Sequence, residues 1–164
     1  MLSKPKYEER EQQPYVAIRE EATLDALPTT LPSLFHEMSA WLDERGIERS
    51  GVPFIRYVVI DMPARIEVDV GTPVRGEVPA DERVSHGAFP AGRYVTAIHT
   101  GPYDQLEEAT AKLLAWADDN GVVWDVRSGE NGDEWAARTE FYLTNPLEEP
   151  DPQKRETELA FKVK

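Results

Sequence analysis

The feature of this sequence that most constrains its fold is an internal duplication of a strand–helix–strand–strand unit. A short apolar strand opens each half, at residues 14–18 and again at 93–98. An amphipathic helix follows each strand, carries a tryptophan and ends at a glycine, with the same tryptophan-to-glycine spacing at 41–46 and 116–121. Two further strands complete each half. A repeat of this length is too long for a solenoid and predicts an α+β domain.

Both helices have recognisable ends. The first is predicted over residues 31–45, with Thr30 as its N-terminal cap. The second is predicted over 104–120, where Asp104 and Glu107 have the spacing of a capping box. A glycine follows each helix, as is common where a chain leaves an α-helix.

The strands alternate apolar and polar residues, which is typical of a sheet with one buried face. They are predicted at 54–61, 65–70, 135–144 and 156–163, with another strand near 122–126 that pairs with residue 135 onward across the turn at 129–133. Burial is simplest when both helices cover one face of a shared antiparallel sheet. The predicted modules are residues 7–75 and 83–164, joined by a linker at 76–82.

Glu140 is the unusual residue of the strand at 138–144. Alternation places Arg138, Glu140 and Tyr142 on one side of this strand and Phe141 on the other. We expect the Glu140 side to be the face opposite the helices, where two halves that meet about a pseudo-twofold axis form a cleft. A carboxylate beside aromatic rings there either lies on a wet surface, pairs with Arg138 or Arg56, or receives a positive ligand.

The composition excludes some classes of function. The chain has 18 basic and 31 acidic residues and a net charge of −13. Such a surface repels phosphate backbones, so no direct nucleic-acid binding is expected. The same charge is compatible with cationic ligands, and also with simple solubility or adaptation to salt. Cysteine is absent, no apolar run could span a membrane, and the N-terminus has no apolar signal core, so we predict a cytoplasmic protein with no membrane association.

Neither a metal nor another cofactor is expected. No two histidines have the spacing of metal ligands, and cysteine ligands are excluded. The sequence also has no serine elbow, phosphate-binding glycine loop or dinucleotide fingerprint.

Six sequence segments give the chain a resemblance to a known family. In order they are VGTPV at 70–74, FPAGRY at 89–94, HTGPY at 99–103, LAW at 114–116, TEFYLTNP at 139–146 and ETEL at 156–159. They resemble the gyrase-inhibitory-protein-like family, which also supplies the effector-binding domains of bacterial multidrug-responsive transcription activators. The segments span nearly the whole chain.

The resemblance implies a fold and a set of functions. The fold would be two βαββ modules of the SHS2 type about a pseudo-twofold axis, with two helices on one face of the sheet and a ligand cleft on the other. Members bind hydrophobic, often cationic, small molecules, and Glu140 matches their pocket carboxylate. Some members resemble hydrolases of strained cyclopropane-bearing natural products, and others act on a topoisomerase. No helix-turn-helix segment accompanies the domain, so a complete transcription activator is not expected.

The expected ligand site combines one charge with several rings. Its predicted residues are Glu140, Tyr142, Tyr57, Tyr103, Trp124, Trp135 and His99. Tyr57 is equally compatible with core packing, and the two tryptophans with packing at a sheet edge. A lone histidine is more often a surface or capping group than a proton shuttle.

We therefore predict a stand-alone binding domain that senses or sequesters a hydrophobic, cationic small molecule. One alternative is a hydrolase in which Glu140 activates water or protonates a leaving group. Another is a protein that inhibits DNA gyrase by direct contact. The sequence leaves open whether the chain forms a homodimer.

Overall fold

The computed structural model describes residues 1–61, 65–76 and 78–164, so Glu77 of the predicted linker lies outside the described residues. Two α-helices and ten strands make up the described fold. In chain order the elements are β1 (Lys6–Arg10), β2 (Gln13–Ala22), α1 (Leu27–Arg45), β3 (Phe54–Asp61), β4 (Arg65–Pro73), β5 (Ser85–Phe89), β6 (Gly92–Thr100), α2 (Leu106–Asp119), β7 (Val126–Gly129), β8 (Gly132–Trp135), β9 (Arg138–Tyr142) and β10 (Glu156–Lys162).

The strands form one antiparallel sheet, which confirms the predicted α+β class. Their order is β1-β6-β10-β9-β3-β4-β2-β5, and the β7–β8 hairpin attaches to β3. Reading outward from the central β9–β3 pair, each half presents its strands in the same order, β9-β10-β6 on one side and β3-β4-β2 on the other. The module boundaries stay a prediction.

Two short connections curl the sheet into a half-barrel. Residues 11–12 alone join β1 to β2, and residues 90–91 alone join β5 to β6. In a flat sheet, six strand spacings would separate each of these pairs by about 29 Å. A two-residue connection reaches only about 11 Å. The chain can therefore close these links only if the sheet bends so that its ends approach each other.

Helix α1 begins one turn earlier than the sequence predicts. It starts at Leu27, and Pro28 occupies the first turn, where the missing N–H of proline is tolerated. The predicted cap, Thr30, lies inside the helix and donates its hydroxyl proton to the Ala26 carbonyl at 3.0 Å. The predicted end is correct, since Gly46 follows in the left-handed conformation at φ 63°.

The capping box predicted for helix α2 is wrong. A 3₁₀ turn at Tyr103–Gln105 precedes the helix, and α2 itself begins at Leu106 with no side-chain cap. Asp104 falls within the 3₁₀ turn and therefore does not occupy the capping position. At the other end, the Asn120 amide donates to the Trp116 carbonyl at 2.8 Å.

The β7–β8 hairpin lies further along the chain than predicted. Val126 pairs with Trp135 and Gly129 with Gly132, so residues 130–131 form the turn. The predicted strand at 135–144 divides into two, because β8 ends at Trp135 and β9 begins at Arg138. Both parts pair with β3, which has a bulge between Tyr57 and Val59.

The two faces of the sheet carry different cores. On one face, α1 packs over Val16, Ile18 and Ile55, and α2 packs over apolar residues of β6 and β10 such as Val95 and Leu159. We call this the helix face. The other, helix-free face lines the inside of the curl with aromatic residues, namely Tyr15, Phe54, Phe89, Tyr94 and Phe141.

Candidate functional site

Glu140 lies on the helix face, so the prediction that it faces away from the helices is wrong. On β9 its direct cross-strand neighbours are Ile55 of β3 and Leu159 of β10. Ile55 packs in the core under α1, and Leu159 packs in the core under α2. Because directly paired residues share a face of the sheet, Glu140 lies where the two halves of the helix face meet.

Two tyrosine hydroxyls hold the Glu140 carboxylate. Tyr142 Oη donates to Glu140 Oε1 at 2.6 Å, and Tyr57 Oη donates to the same oxygen at 3.2 Å. Glu140 is only 7% exposed. In the part of the chain that the structure describes, no basic side chain forms an ion pair with it. The carboxylate is therefore buried and hydrogen-bonded, and no counter-charge is in contact with it.

Neither arginine that the sequence offered as a partner neutralises Glu140. Arg56 alternates with Tyr57 on β3 and so points to the helix-free face, where it donates to Tyr15 Oη at 2.9 Å. Its predicted pairing with Glu140 is wrong. Arg138 shares the face of Glu140, but its guanidinium lies over the rings of Trp135 and Phe161, at 4.7 and 5.0 Å from their centroids.

Burial raises the pKa of the Glu140 carboxyl, because removal from water penalises its charged form. The hydrogen bonds from Tyr142 and Tyr57 and the charge of Arg138 oppose this shift without reversing it. Burial together with the Glu140 charge also raises the pKa of both tyrosines well above the usual value. The tyrosines are thus neutral donors, and the carboxyl holds its proton to a higher pH than a solvated glutamate.

Aromatic rings from both halves pack against Tyr142, the tyrosine that holds this carboxylate. The ring of Tyr142 meets Phe35 of α1 edge-on, with centroids 5.5 Å apart, and meets Tyr103 edge-on at 5.7 Å. Tyr103 belongs to the turn that leads into α2. The structure therefore brings together Glu140, Tyr142, Tyr57 and Tyr103 from the predicted set, and it adds Phe35 of α1, which was not among the predicted site residues.

The other predicted site residues have contacts elsewhere. Trp124 and Trp135 lie 6.0 Å apart between ring centroids, and both pack against Phe161. His99 is 2% exposed, and its Nε2 atom lies 3.2 Å from the Pro102 carbonyl oxygen. On the sheet, Thr157 of β10 separates His99 from Tyr142. The structure therefore does not bring Trp124, Trp135 or His99 into contact with Glu140 among the described residues.

No helix in the described residues is long and apolar enough to cross a membrane. The model of one protein family, the GyrI-like small molecule binding domain, matches residues 3–164. No curated protein matches the sequence.

Solved structures share the fold at low sequence identity. The C-terminal domain of EcmrR is 20% identical with a TM-score of 0.76, and the alignment covers 100% of this chain and 99% of that domain. The chain spans 57% of the EcmrR chain seen in complex with DNA, at 19% identity, 98% coverage of this chain and a TM-score of 0.75.

Two further solved structures share the fold, one with a bound cation and one of a hydrolase. SAV2435, bound to tetraphenylphosphonium, is 10% identical with a TM-score of 0.64, and the alignment covers 98% of this chain and 94% of that one. A protein from Listeria innocua described as a hydrolase is 16% identical with a TM-score of 0.61, covering 98% and 92% respectively. At these identities the likeness concerns the fold.

Proposed function

The chain belongs to the GyrI-like small-molecule-binding domain family, and from this premise we propose that it binds a hydrophobic cation with Glu140 as the counter-charge. The observation that carries the proposal is the state of Glu140. Its carboxylate is 7% exposed and is held by two neutral tyrosine hydroxyls, and among the described residues no basic group pairs with it.

A lipophilic cation is the ligand that best satisfies such a carboxylate. Burying a lone charge is unfavourable, and contact with an opposite charge restores the ionised form. Aromatic faces add attraction for a desolvated cation, on the order of 0.5–2 kcal/mol for each well-placed ring. Tyr142 contacts Glu140 directly, and Phe35 and Tyr103 pack against the ring of Tyr142, so these three rings are the ones that can supply such contacts. The neighbour bound to tetraphenylphosphonium supports this ligand class.

Entry of the ligand requires movement at the junction of the two halves. Phe35 on α1 and Tyr103 before α2 both contact Tyr142, and the Glu140 carboxylate is buried. In our proposal these two rings separate and the ligand takes the place of their contacts with Tyr142. Because rings and one charge define little shape, the site would accept several cations of similar size.

The test is a calorimetric titration with tetraphenylphosphonium, with neutral triphenylphosphine oxide as the uncharged comparison ligand. Glu140→Gln should weaken binding of the cation at least tenfold and change binding of the neutral compound less than twofold. Glu156→Gln is the matched control, because it removes one negative charge from an exposed position on β10. A Glu140→Gln variant that binds the cation as tightly as the wild type would contradict the proposal.

Hydrolysis of a strained electrophile is the second candidate, and the position of Tyr57 favours it. Its hydroxyl lies 3.2 Å from Glu140, so a proton donor and a carboxyl of raised pKa stand within hydrogen-bond reach. Glu140 would take a proton from water as the water oxygen bonds to a cyclopropane carbon. The strained carbon–carbon bond breaks, its electron pair passes to the conjugated carbonyl, and that oxygen accepts the proton. The fold neighbour described as a hydrolase supports this candidate.

Product analysis by mass spectrometry distinguishes the two candidates. An enzyme would convert a cyclopropane-bearing substrate to its water adduct over many turnovers, and Glu140→Gln or Tyr57→Phe would abolish this. A stoichiometric complex without a water adduct would exclude the hydrolase and leave the binding function intact.

A further inference from the structure

A second concave site lies on the helix-free face, at the open end of the curled sheet. It is a groove of about 560 Å³ lined by Arg10, Phe89, Tyr94, Thr139, Phe141 and Glu158, together with the connection between β1 and β2. We call it the mouth groove. Pockets that hold small molecules have volumes of about 300–1,000 Å³ and often lie in the mouths of barrels. Glu140 contributes nothing to it, because that side chain points to the helix face.

The floor of the mouth groove is aromatic. Phe141 and Phe89 lie 5.3 Å apart between centroids, and Phe89 contacts the fully buried Phe54 below it at 4.8 Å. Tyr94 is fixed by a 2.6 Å hydrogen bond from its hydroxyl to the Pro90 carbonyl. Rings held in this way give a flat ligand a rigid surface against which to stack.

The charge at the rim of the mouth groove is negative on balance. Arg10 is its basic residue, and its guanidinium already donates to Glu158 at 2.7 Å and to Glu8 at 2.7 Å. Two carboxylates therefore offset one guanidinium. Glu11 adds a third, exposed carboxylate to the lining. The carboxylates of the rim therefore favour a cationic ligand over an anionic one.

Thr139 gives the mouth groove a hydrogen-bonding group that has no partner. Its residue is 1% exposed, and among the described residues its hydroxyl oxygen makes no hydrogen bond. It lies two positions before Phe141 on β9, so both side chains belong to the same face. A buried hydroxyl without a partner is unfavourable, and a ligand that donates to it would relieve that cost.

We propose that the mouth groove binds a protonated aromatic amine. The ring stacks on Phe141 and Phe89 in place of the Arg10 guanidinium, which lies 5.8 Å from the Phe141 centroid. The ammonium donates to the Thr139 hydroxyl and to the free carboxylate oxygen of Glu158. The proposal does not depend on the function assigned to Glu140, since different residues on the opposite face carry it.

The experiment is an NMR titration of the full chain with tryptamine, following backbone amide resonances. We expect the largest shifts at Thr139, Phe141 and Glu158. The anion 3-(indol-3-yl)propanoate, which has the same ring and the opposite charge, should bind at least tenfold more weakly. Equal affinity for the two compounds would overturn the assignment of the ligand's charge.

Two valine substitutions make the test specific. Thr139→Val should weaken tryptamine binding at least fivefold, and the protein should fold normally, because the lost hydroxyl has no partner to leave behind. Thr157→Val is the matched control, since Thr157 is also buried with an unpartnered hydroxyl but lies on the helix face beside Tyr142. It should leave tryptamine affinity unchanged. Unchanged affinity in Thr139→Val would also overturn the proposal.

Glu140→Gln separates this site from the one on the helix face. We expect that variant to bind tryptamine with wild-type affinity. If it loses tryptamine binding while Thr139→Val keeps it, the amine occupies the helix face and the mouth groove proposal is wrong. The tetraphenylphosphonium titration would then still decide the proposed function independently.

Discussion

Two buried carboxylates, Glu140 and Asp69, lie on opposite faces of the same sheet and differ in whether a basic side chain compensates their charge. They are 7% and 5% exposed. Each accepts a hydrogen bond from a tyrosine hydroxyl: Tyr142 donates to Glu140 at 2.6 Å, and Tyr15 donates to Asp69 at 2.8 Å. Asp69 also receives two hydrogen bonds from the guanidinium of Arg19, at 2.8 and 3.0 Å, whereas among the described residues no basic group is in contact with Glu140.

The register of the strands produces this difference. Asp69 on β4 pairs directly with Arg19 on β2 and with Arg56 on β3, so arginines stand beside it on the same face. Glu140 pairs directly with Ile55 and Leu159. A carboxylate between two arginines has its charge compensated and stabilises the fold. A carboxylate between two aliphatic residues remains unbalanced, which is the condition that a cationic ligand can relieve.

The largest expected effect is a difference in folding stability between a variant of Asp69 and the matching variant of Glu140. Asp69→Asn should destabilise the fold by about 2 kcal/mol, the scale of a hydrogen bond to a charged group, because asparagine keeps one acceptor and the Arg19 side chain is half exposed. Glu140→Gln should change the free energy of unfolding by less than about 1 kcal/mol, since the amide oxygen still accepts from the tyrosines and no cation is left unpaired. Urea unfolding at pH 7 measures both, and both variants lose the same charge. Equal destabilisation by the two variants would mean that Glu140, like Asp69, mainly stabilises the fold.

Strand alternation allowed the sequence to predict which residues share a face. Alternation correctly placed Glu140 and Tyr142 on one face, and the match between the two halves correctly predicted that Tyr57 lies near them. Arg56 could not have joined this group, because it neighbours Tyr57 on one strand and must face the other way. That exclusion was available from the sequence.

Which face the helices cover could not be read from alternation, because both faces of the central strands are buried. The outcome depends on Ile55 and Leu159 lying beside Glu140, a register set by contacts distant in the chain. Strand β1 was missed for a related reason. Its sequence KYEER is mostly charged, and it is a strand because it pairs with β6, far along the chain.

A smaller effect should separate the two tyrosines that hold Glu140. A hydrogen bond to a charged group contributes about 1.5–3 kcal/mol, and shorter bonds are stronger. Tyr142 donates at 2.6 Å and Tyr57 at 3.2 Å, so Tyr142→Phe should weaken tetraphenylphosphonium binding at neutral pH more than Tyr57→Phe does. Each removes a donor that favours the ionised carboxylate, and each should raise the Glu140 pKa further.

Carbon-13 NMR titration of the Glu140 carboxyl measures those pKa changes directly. Tyr15→Phe is the control, because that hydroxyl serves Asp69 on the opposite face. The ranking of the two tyrosines would be refuted by a larger loss of cation affinity in Tyr57→Phe.

The smallest expected effect is the dependence of cation affinity on pH, and its sign follows from the raised pKa of Glu140. A cation binds the ionised carboxylate, while burial keeps the free protein protonated to a higher pH than a solvated glutamate. Affinity should therefore increase with pH through the folded-state pKa, by at most tenfold per unit or about 1.4 kcal/mol, and level off above it.

The same proton links binding to folding. Between the ordinary value of 4.5 and the raised folded-state pKa, the native protein holds a proton that the unfolded chain has lost, so stability should fall as pH rises across that window. Bound cation should release this proton, which calorimetry in buffers of different ionisation enthalpy detects. Glu140→Gln should remove both the proton release and the pH slope of binding, whereas Asp69→Asn should keep them. If proton release persists in Glu140→Gln, another group carries the charge of the site. The difference between Glu140 and Asp69 would then not identify the residue that binds the cation.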